Sequence, residues 1–575
     1  MATSKIISTD SNAPKLTIGE ALVKYLEARG VDVIFGIPGV HTIELYRGLA
    51  QSNIRHITAR HEQGVGFMAD GYARASGKAG VAFVITGPGM TNMLTPMAQA
   101  LADSIPMLVI SGVNETASQG LGLGHLHELP DQQALCAQVA STSTQITQQN
   151  ELIPALDQAF DAFIAKRPAP IHIQIPTDVM NQPFDWNDDL VSHSNIQAAN
   201  TTPDQTTHTD NYHTATTNIP RPPQSSIDKA VQCLTNAKNV VILAGGGAKK
   251  SEQSLQGLAE TLAAPVILTT NGRGLMHQHL LCVPASPSLE PVRQLLREAD
   301  CVLAVGTEMG FTDYDAYRDD GFPALKSLIR IDICEHQLAR QPAEITLHGD
   351  ATAVLTDFLK STKALKYQAS NSKLQQSKER AAKAREETLA GLPENYRDHV
   401  ELLNTLRDIY PDTYFIGDST QLIYAGGLYY DHDKAGAWFN AATGYGALGY
   451  AIPAAIGAAI AEPTKRIICI VGDGGAQFTL PELMTAVQEK LAITFVVWNN
   501  LGYLEIETSM ASVDIDVVGC DPQPPIFEYI AKACSIPFAS CSKAPNSFKT
   551  AIAELATTTG PTMIEIQAFP GETHV

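Results

Sequence analysis

The stretch Ile467-Ile468-Cys469-Ile470-Val471-Gly472-Asp473-Gly474, followed after 24 further residues (475–498) by Asn499-Asn500, decides the fold. Ile467–Val471 and Ile493–Trp498 are continuous apolar runs, the pattern of strands buried on both faces. Pro481–Lys490 between them has the spacing of a helix. A crossover of that length joins two parallel strands. Both polar motifs then fall at the carboxyl ends of neighbouring strands, where open α/β sheets bind ligands. Asp473 offers a carboxylate and Asn500 a side-chain carbonyl, hard oxygen donors that suit Mg2+ beside a phosphate group. Gly472, Gly474 and Gly475 let the main chain approach a diphosphate, and a helix N-terminus just beyond supplies N–H donors. Asp-Gly alone is an ordinary turn dipeptide. The crossover and the asparagine pair at this spacing turn it into a site.

Outward from this stretch, three blocks alternate apolar runs with helical patterns, which predicts an α/β protein of three doubly wound parallel-sheet domains. The expected N-terminal domain covers 15–184, with strands in VDVIFGI, HITAR, VAFVITG, PMLVISG and PIHIQIP. A linker rich in Asn, Thr, Ser, Asp and Pro follows at 185–225. The central domain covers 226–360, with strands NVVILAGGG, PVILTT, CVLAVG and LIRIDI. A charged connecting segment at 361–395 contains KERAAKAREE, expected as an exposed helix. The C-terminal domain covers 396–575, with further strands TYFIGDS and PTMIEIQ. No internal repeat is visible.

The 575 residues are 44% hydrophobic and 17% charged, enough apolar material for large cores, and the net charge is -20. That balance excludes nucleic acid and anionic membrane as partners, since both call for a basic face. The nine cysteines form no CxxC pair and no disulfide framework, which fits a reducing, cytoplasmic compartment. The first fourteen residues are polar and do not read as a signal peptide. The longest apolar run, Tyr450 to Ala461, is too short to span a bilayer.

The GDG and NN motifs at this spacing resemble the thiamine-diphosphate signature shared by pyruvate decarboxylase, benzoylformate decarboxylase and acetohydroxyacid synthase. The resemblance implies a thiamine diphosphate cofactor and Mg2+, with Asp473, Asn500 and the carbonyl of Gly502 as metal ligands. Gly417-Asp418-Ser419-Thr420-Gln421 matches a loop that touches the diphosphate in the family, making Ser419 and Thr420 candidates; an ordinary helix cap is the other reading. Arg60-His61-Glu62-Gln63-Gly64, ADGYARASG and ITGPGMTN resemble the family's pyrimidine-binding domain. By that resemblance Glu62 hydrogen-bonds the aminopyrimidine of a cofactor held by another subunit. A homodimer is then the smallest active unit and a homotetramer a common relative. By position alone, Glu62 is a carboxylate in a first helical turn. Gly444-Tyr445-Gly446-Ala447-Leu448-Gly449 matches the segment that bends the cofactor, with Leu448 as the apolar prop and the Gly446 carbonyl as an acceptor. Pro38, Val40 and His41 lie in a loop that faces the active site in relatives.

Decarboxylases of the family use polar groups, often histidine, to return a proton to the carbon that has lost CO2. His41, His61, His125 and His127 are available, and His127 in HLHELPDQ is the preferred candidate. Three features depart from acetohydroxyacid synthase. Thr177 stands where that enzyme has lysine, the tryptophan segment after NN is Leu501 to Glu507 here, and the flavin-contacting stretch is missing, so FAD is unlikely. GIPGVHTIELYRGLA (36–50), HEQGVGFMADGYARASGKAGV (61–81), ITGPGMTN (85–92), GLGLGHLHELPDQ (120–132) and GDSTQ (417–421) most resemble, within the family, the decarboxylases of 5-guanidino-2-oxopentanoate, which implies conversion of that acid to 4-guanidinobutanal and CO2. A guanidinium calls for a bidentate carboxylate, and Asp418, Glu505 and Glu507 are the acids on offer. The alternatives are an acetolactate-type carboligase and a binding protein that keeps the fold without turnover. A nicotinamide oxidoreductase built on Gly245-Gly246-Gly247 lacks the GxGxxG pattern and its distal acid.

Overall fold

Inner strands of a doubly wound sheet are covered on both faces, so apolar runs such as Ile467–Gly472 and Ile493–Asn499 have nowhere to go but the middle of a layer. In the computed structural model, which describes residues 15–192, 219–314 and 321–569, they lie there, wholly buried and paired in parallel with Gly472 opposite Trp498. Most of the expected linker (193–218) and the fourteen N-terminal residues lie outside the described set. The chain forms three six-stranded parallel sheets, as the alternation of runs and helices predicts.

The N-terminal sheet runs, edge to edge, Arg55–Thr58, Val33–Gly36, Gly80–Val84, Met107–Val113, Pro170–Pro176, Thr142–Gln145. The C-terminal sheet runs Trp438–Asn440, Phe415–Gly417, Ile467–Gly472, Ile493–Asn499, Thr562–Gln567, Phe538–Ser542. In both, chain order reverses beside the second strand, and the loops flanking that switch point open a crevice. On the N-terminal sheet these are the loops at 37–42 and 85–88. On the C-terminal sheet they are the loops beginning at Asp418 and Asp473. The central sheet is centred on Val240–Ala244 and Cys301–Val305. Its glycine triplet has a packing explanation, because a Cβ on Gly247 would come within 2.8 Å of the Gly306 main chain. The expected exposed helix is Asn371–Gly391, and one side of it is not exposed: Ala381 and Ala384 join the core of the central domain.

The apolar run at 450–461 becomes helix Ala451–Ala461, almost entirely buried. It crosses helix Glu62–Ser76 of the N-terminal domain so closely that a Cβ on Gly71 would strike the Ala454 carbonyl, and one on Gly457 the Met68 carbonyl. The two terminal domains therefore share one apolar core, in which Phe67 and Met68 meet Ala454 and Ile456. Each buried isoleucine of this helix contributes roughly 1.5–3 kcal/mol. Among the described residues no helix is long and apolar enough to cross a membrane.

Candidate active site

The C-terminal half-site is built from three strand ends. Asp473 follows strand Ile467–Gly472 and is 1% exposed. Its Oδ1 accepts from Asn500 N at 3.4 Å, and its Oδ2 is buried with no hydrogen-bond partner. Burial pushes its carboxyl up, opposed by the backbone N–H groups of Asn500, Gly474 and Gly502. The Asn500 side-chain oxygen faces the Gly502 carbonyl oxygen at 2.9 Å and Asp473 Oδ1 at 3.1 Å, with no donor among the three; turning the amide over would let its nitrogen donate to both. Three converging oxygens and one orphaned carboxylate oxygen are the donor set a Mg2+ ion takes, so the residues fit the metal that the motif implies. Among the described residues there is no cluster of three His, Cys, Asp or Glu that offers a rival site.

Gln421, to which the sequence assigned no role, braces this corner. Its Oε1 accepts from Trp498 Nε1 at 2.9 Å and lies 3.5 Å from Asn500 Nδ2. Thr420 is buried against Gly472, and half-buried Ser419 bonds Tyr424. Tyr503 lies over Gly474, where a Cβ would collide with its ring.

Asp418 corrects an expectation. It does not face the crevice as a guanidinium partner: it is fully buried, with Oδ1 accepting from Ser419 N at 2.8 Å and Oδ2 from Gly449 N at 2.9 Å and Ala451 N at 3.4 Å. Burial lifts its carboxyl to about 6, while backbone N–H groups hold it down. Its job is to anchor the loop at 443–450. That loop presents Gly446 in the left-handed region (φ 77°), exposed, and Leu448, half-buried and outside the apolar clusters. Glu505 and Glu507 open helix Leu504–Ala511, which buries none of its residues. Glu507 is exposed; Glu505 is half-buried and close enough to push up the Tyr424 hydroxyl, which burial raises first.

The N-terminal half-site gathers at its own switch point. Glu62 starts helix Glu62–Ser76, half-buried, and its Oε2 accepts from Asn92 Nδ2 at 3.1 Å. The turn before it is held by Glu482 of the C-terminal domain, whose Oε1 accepts from Arg60 N at 2.9 Å and His61 N at 3.1 Å. Pro38 and Val40 are exposed beside it, and His41 is 8% exposed. The His41 and His127 rings lie 5.6 Å apart, and the Nδ1 atom of each is buried without a partner. His41 Nε2 meets Asn114 Nδ2 at 3.4 Å, and burial followed by the neighbouring His127 lowers its basicity. His61 is instead a helix cap accepting from Gln63 N, and His125 is exposed on the adjoining loop.

His127 closes a loop in which Gly120, Gly122, Gly124 and His127 itself are left-handed (φ 70°, 64°, 77° and 59°). The loop keeps this shape because the Glu128 carboxylate accepts from the amides of Gly122, Leu123, Gly124 and His125 at 2.8–3.2 Å. Behind it, buried Gln132 accepts from Thr86 Oγ1 at 2.7 Å and Gly87 N at 3.2 Å and donates to Ser111 Oγ and Gln174 Oε1. The structure thus assembles two half-sites in one chain. Among the described residues no hydrogen bond or ion pair joins Glu62 to Asp473, Asn500 or the loop at 443–450.

Three doubly wound domains, an oxygen corner at one strand end and a glutamate at the other define a thiamine-diphosphate enzyme, and the chain belongs to the thiamine pyrophosphate enzyme family. The N-terminal TPP binding domain of that family matches residues 16–135, its central domain 227–358 and its C-terminal TPP binding domain 418–566. The chain is 39% identical over 522 residues to "Probable 2-ketoarginine decarboxylase AruI" of Pseudomonas aeruginosa, covering 90% of this chain and 88% of that protein. It is 30% identical to the acetolactate synthase large subunit of Corynebacterium glutamicum, over 85% of this chain and 76% of that one. It is also 30% identical to the isozyme 3 large subunit of Escherichia coli acetolactate synthase, over 84% and 82%.

Proposed function

We propose that the chain decarboxylates a 2-oxo acid without oxidation, converting 5-guanidino-2-oxopentanoate to 4-guanidinobutanal and CO2. The balance is R–CO–COO− + H+ → R–CHO + CO2. The observation that carries this reading is the 39% identity, across 90% of the chain, with a relative named for 2-ketoarginine, another name for the same acid. The acetolactate synthases match at 30%.

When bound, thiamine diphosphate supplies the nucleophilic carbon and the electron sink of the reaction. Asp473, Asn500 and the Gly502 carbonyl would hold Mg2+ on its diphosphate, with Ser419, Thr420 and the Gly472–Gly475 turn around the phosphates. Leu448 and Gly446 would prop and orient the rings. Glu62, steadied by Asn92, holds a proton for exchange with the pyrimidine. His127 and His41 return a proton to the carbon that loses CO2; their orphaned ring nitrogens leave them free to do so. Of the acids the sequence offers, Glu505 is the guanidinium partner. Asp418 is consumed by backbone amides and Glu507 points to solvent. Glu505 is half-buried beside Tyr424, and its carboxylate has no hydrogen-bond or ion-pair partner among the described residues.

The active unit in this reading is a homodimer, alone or within a homotetramer, in which Glu62 of one protomer serves the cofactor of its partner. Exposed apolar side chains ring both half-sites and support it: Leu121, Leu123 and Leu126 on one, Ile506, Val517 and Val518 on the other, all 46–73% exposed. The nine cysteines are all free, which supports a reducing, cytoplasmic setting.

The test is a screen of 2-oxo acids with magnesium and thiamine diphosphate, measuring CO2 and aldehyde together. The guanidino acid should give both in equal amounts. Acetolactate accumulating from pyruvate alone would favour the carboligase. Glu505→Gln should raise KM for the guanidino acid by about 10–100-fold and leave an aliphatic 2-oxo acid unaffected; equal effects on both would dismiss Glu505.

A further inference from the structure

Each half-site is held in place by the other domain of the same chain. The loop at 443–450, which carries Gly446 and Leu448, belongs to the C-terminal domain, yet one side of it hangs on helix Pro88–Asp103 of the N-terminal domain. Gln99 is fully buried, and its Oε1 accepts from Ala447 N at 3.1 Å. Asp103, with a side chain 2% exposed, accepts from Thr443 Oγ1 at 3.0 Å through Oδ1. Its Oδ2 accepts from Gln99 Nε2 at 2.7 Å and Arg74 Nη2 at 2.6 Å. Arg74 in turn donates to Asp70, and the Tyr450 hydroxyl at the end of the loop donates to the same carboxylate. On its other side the loop is held by Asp418, from within its own domain.

The same helix reaches the other half-site. Four residues into it, Asn92 donates to Glu62, and its first turn packs against the main chain of His127 at Gly87. The return brace is Glu482, which reaches from the C-terminal domain to the amides of Arg60 and His61 beside Glu62. Gln99, Asp103 and Glu482 are buried or nearly so, and unpaired polar groups there are costly.

We propose that Gln99 and Asp103 are positioning residues for the cofactor loop at 443–450, so that helix Pro88–Asp103 is a strut tying the Glu62 half-site at one end to the loop of the other half-site at its far end. This rests on the reading that Gly446 and Leu448 receive thiamine diphosphate. Neither residue touches the cofactor in that reading; they set the height and tilt of the loop that does. In a dimer with shared sites, the two ends of one strut serve two different cofactors.

Hydrogen–deuterium exchange on the whole protein, with and without magnesium and thiamine diphosphate, tests the strut. Thr443→Val removes the Asp103 brace without touching Arg74, together with the contact of the same hydroxyl to the Asn440 carbonyl at 3.2 Å, and Gln99→Met removes the other brace, which is wholly interdomain. Each should speed exchange across 443–450 in the cofactor-free protein by about tenfold, leave the 472–476 turn unchanged, and weaken cofactor binding by a similar factor. Thr443→Ser keeps the hydroxyl and should restore wild-type exchange. Unaltered exchange at 443–450 in Thr443→Val, or equal acceleration throughout the C-terminal domain, overturns the proposal; Thr443→Val decides alone if Gln99→Met does not fold. A wild-type protein that takes up no thiamine diphosphate would instead sink the functional reading, while cofactor-free exchange still judges the strut.

Discussion

The C-terminal half-site arrives nearly complete, whereas the N-terminal one is left wanting. Around Asp473 and Asp418 the backbone has already engaged three of the four carboxylate oxygens, and the fourth, Asp473 Oδ2, sits in a corner of oxygens. Around His41 and His127 two buried ring nitrogens have nothing to bond. The two imidazoles lie 5.6 Å apart. The first half-site thus offers converging oxygens, and the second offers two imidazole nitrogens.

The largest effect should come from the corner of oxygens. Asp473→Ala should abolish magnesium-dependent binding of thiamine diphosphate in calorimetry and cut turnover by at least on the order of 10³-fold. Glu62→Gln should cost about 10²–10³-fold in turnover while calorimetry finds cofactor binding nearly intact, separating holding from activating. Mixing these two inactive variants after dissociation should recover about a quarter of wild-type activity, as random dimers with one intact composite site would; no recovery would mean that the sites are not shared. A smaller step follows at the histidines. His127→Ala should slow aldehyde release in single turnover by roughly 10²-fold and His41→Ala by roughly tenfold, with cofactor affinity unchanged.

The smallest effect is in stability, and it runs in opposite directions in the two domains. Buried His172 of the N-terminal domain is depressed to about 3 by burial. The unfolded chain takes up that proton near 6.5, so stability falls as pH drops from about 6.5 to about 3, by at most ~1.4 kcal/mol per unit. Asp418 is raised from 3.8 to about 6. Here the folded state holds the extra proton, so stability falls as pH rises through that window, costing ~3 kcal/mol at neutral pH. Urea unfolding between pH 4 and 7 should therefore show a shallower acid loss in His172→Asn and a steeper one in Asp418→Asn. Parallel curves for all three proteins would remove the contrast.

The inner strands were legible because burial on both faces leaves an uninterrupted apolar run, as in Met107–Val113 or Ile493–Asn499. Edge strands were not. Thr142–Gln145 is polar and half-exposed, Cys282–Val283 is two residues long, and Trp438–Asn440 and Phe538–Ser542 lie in stretches without a marked pattern. Arg55–Thr58 is the edge strand that the sequence does show, as the run HITAR. The site divides along the same line. Residues at strand ends, such as Asp473 and Asn500, announce themselves by spacing. Asn92, Gln99, Asp103, Gln421 and Glu482 do not, since an amide or acid inside a helix reads as surface until the fold shows what it meets. For Asp418 the sequence context shows an acid at a strand end but not the amides of Gly449 and Ala451 closing over it.

The crossing of helices Glu62–Ser76 and Ala451–Ala461 through Gly71 and Gly457 has a mechanical consequence. Main chain rests on main chain there, with no side chains between to slide or repack, so any hinging of the two terminal domains against each other would have to break this contact. The segments that carry little packing are elsewhere, in the Glu128-fastened loop at 120–128 and the outlying helix Leu504–Ala511. Widening the helix crossing by one methyl group, at either glycine, would loosen the contact that hinging has to break.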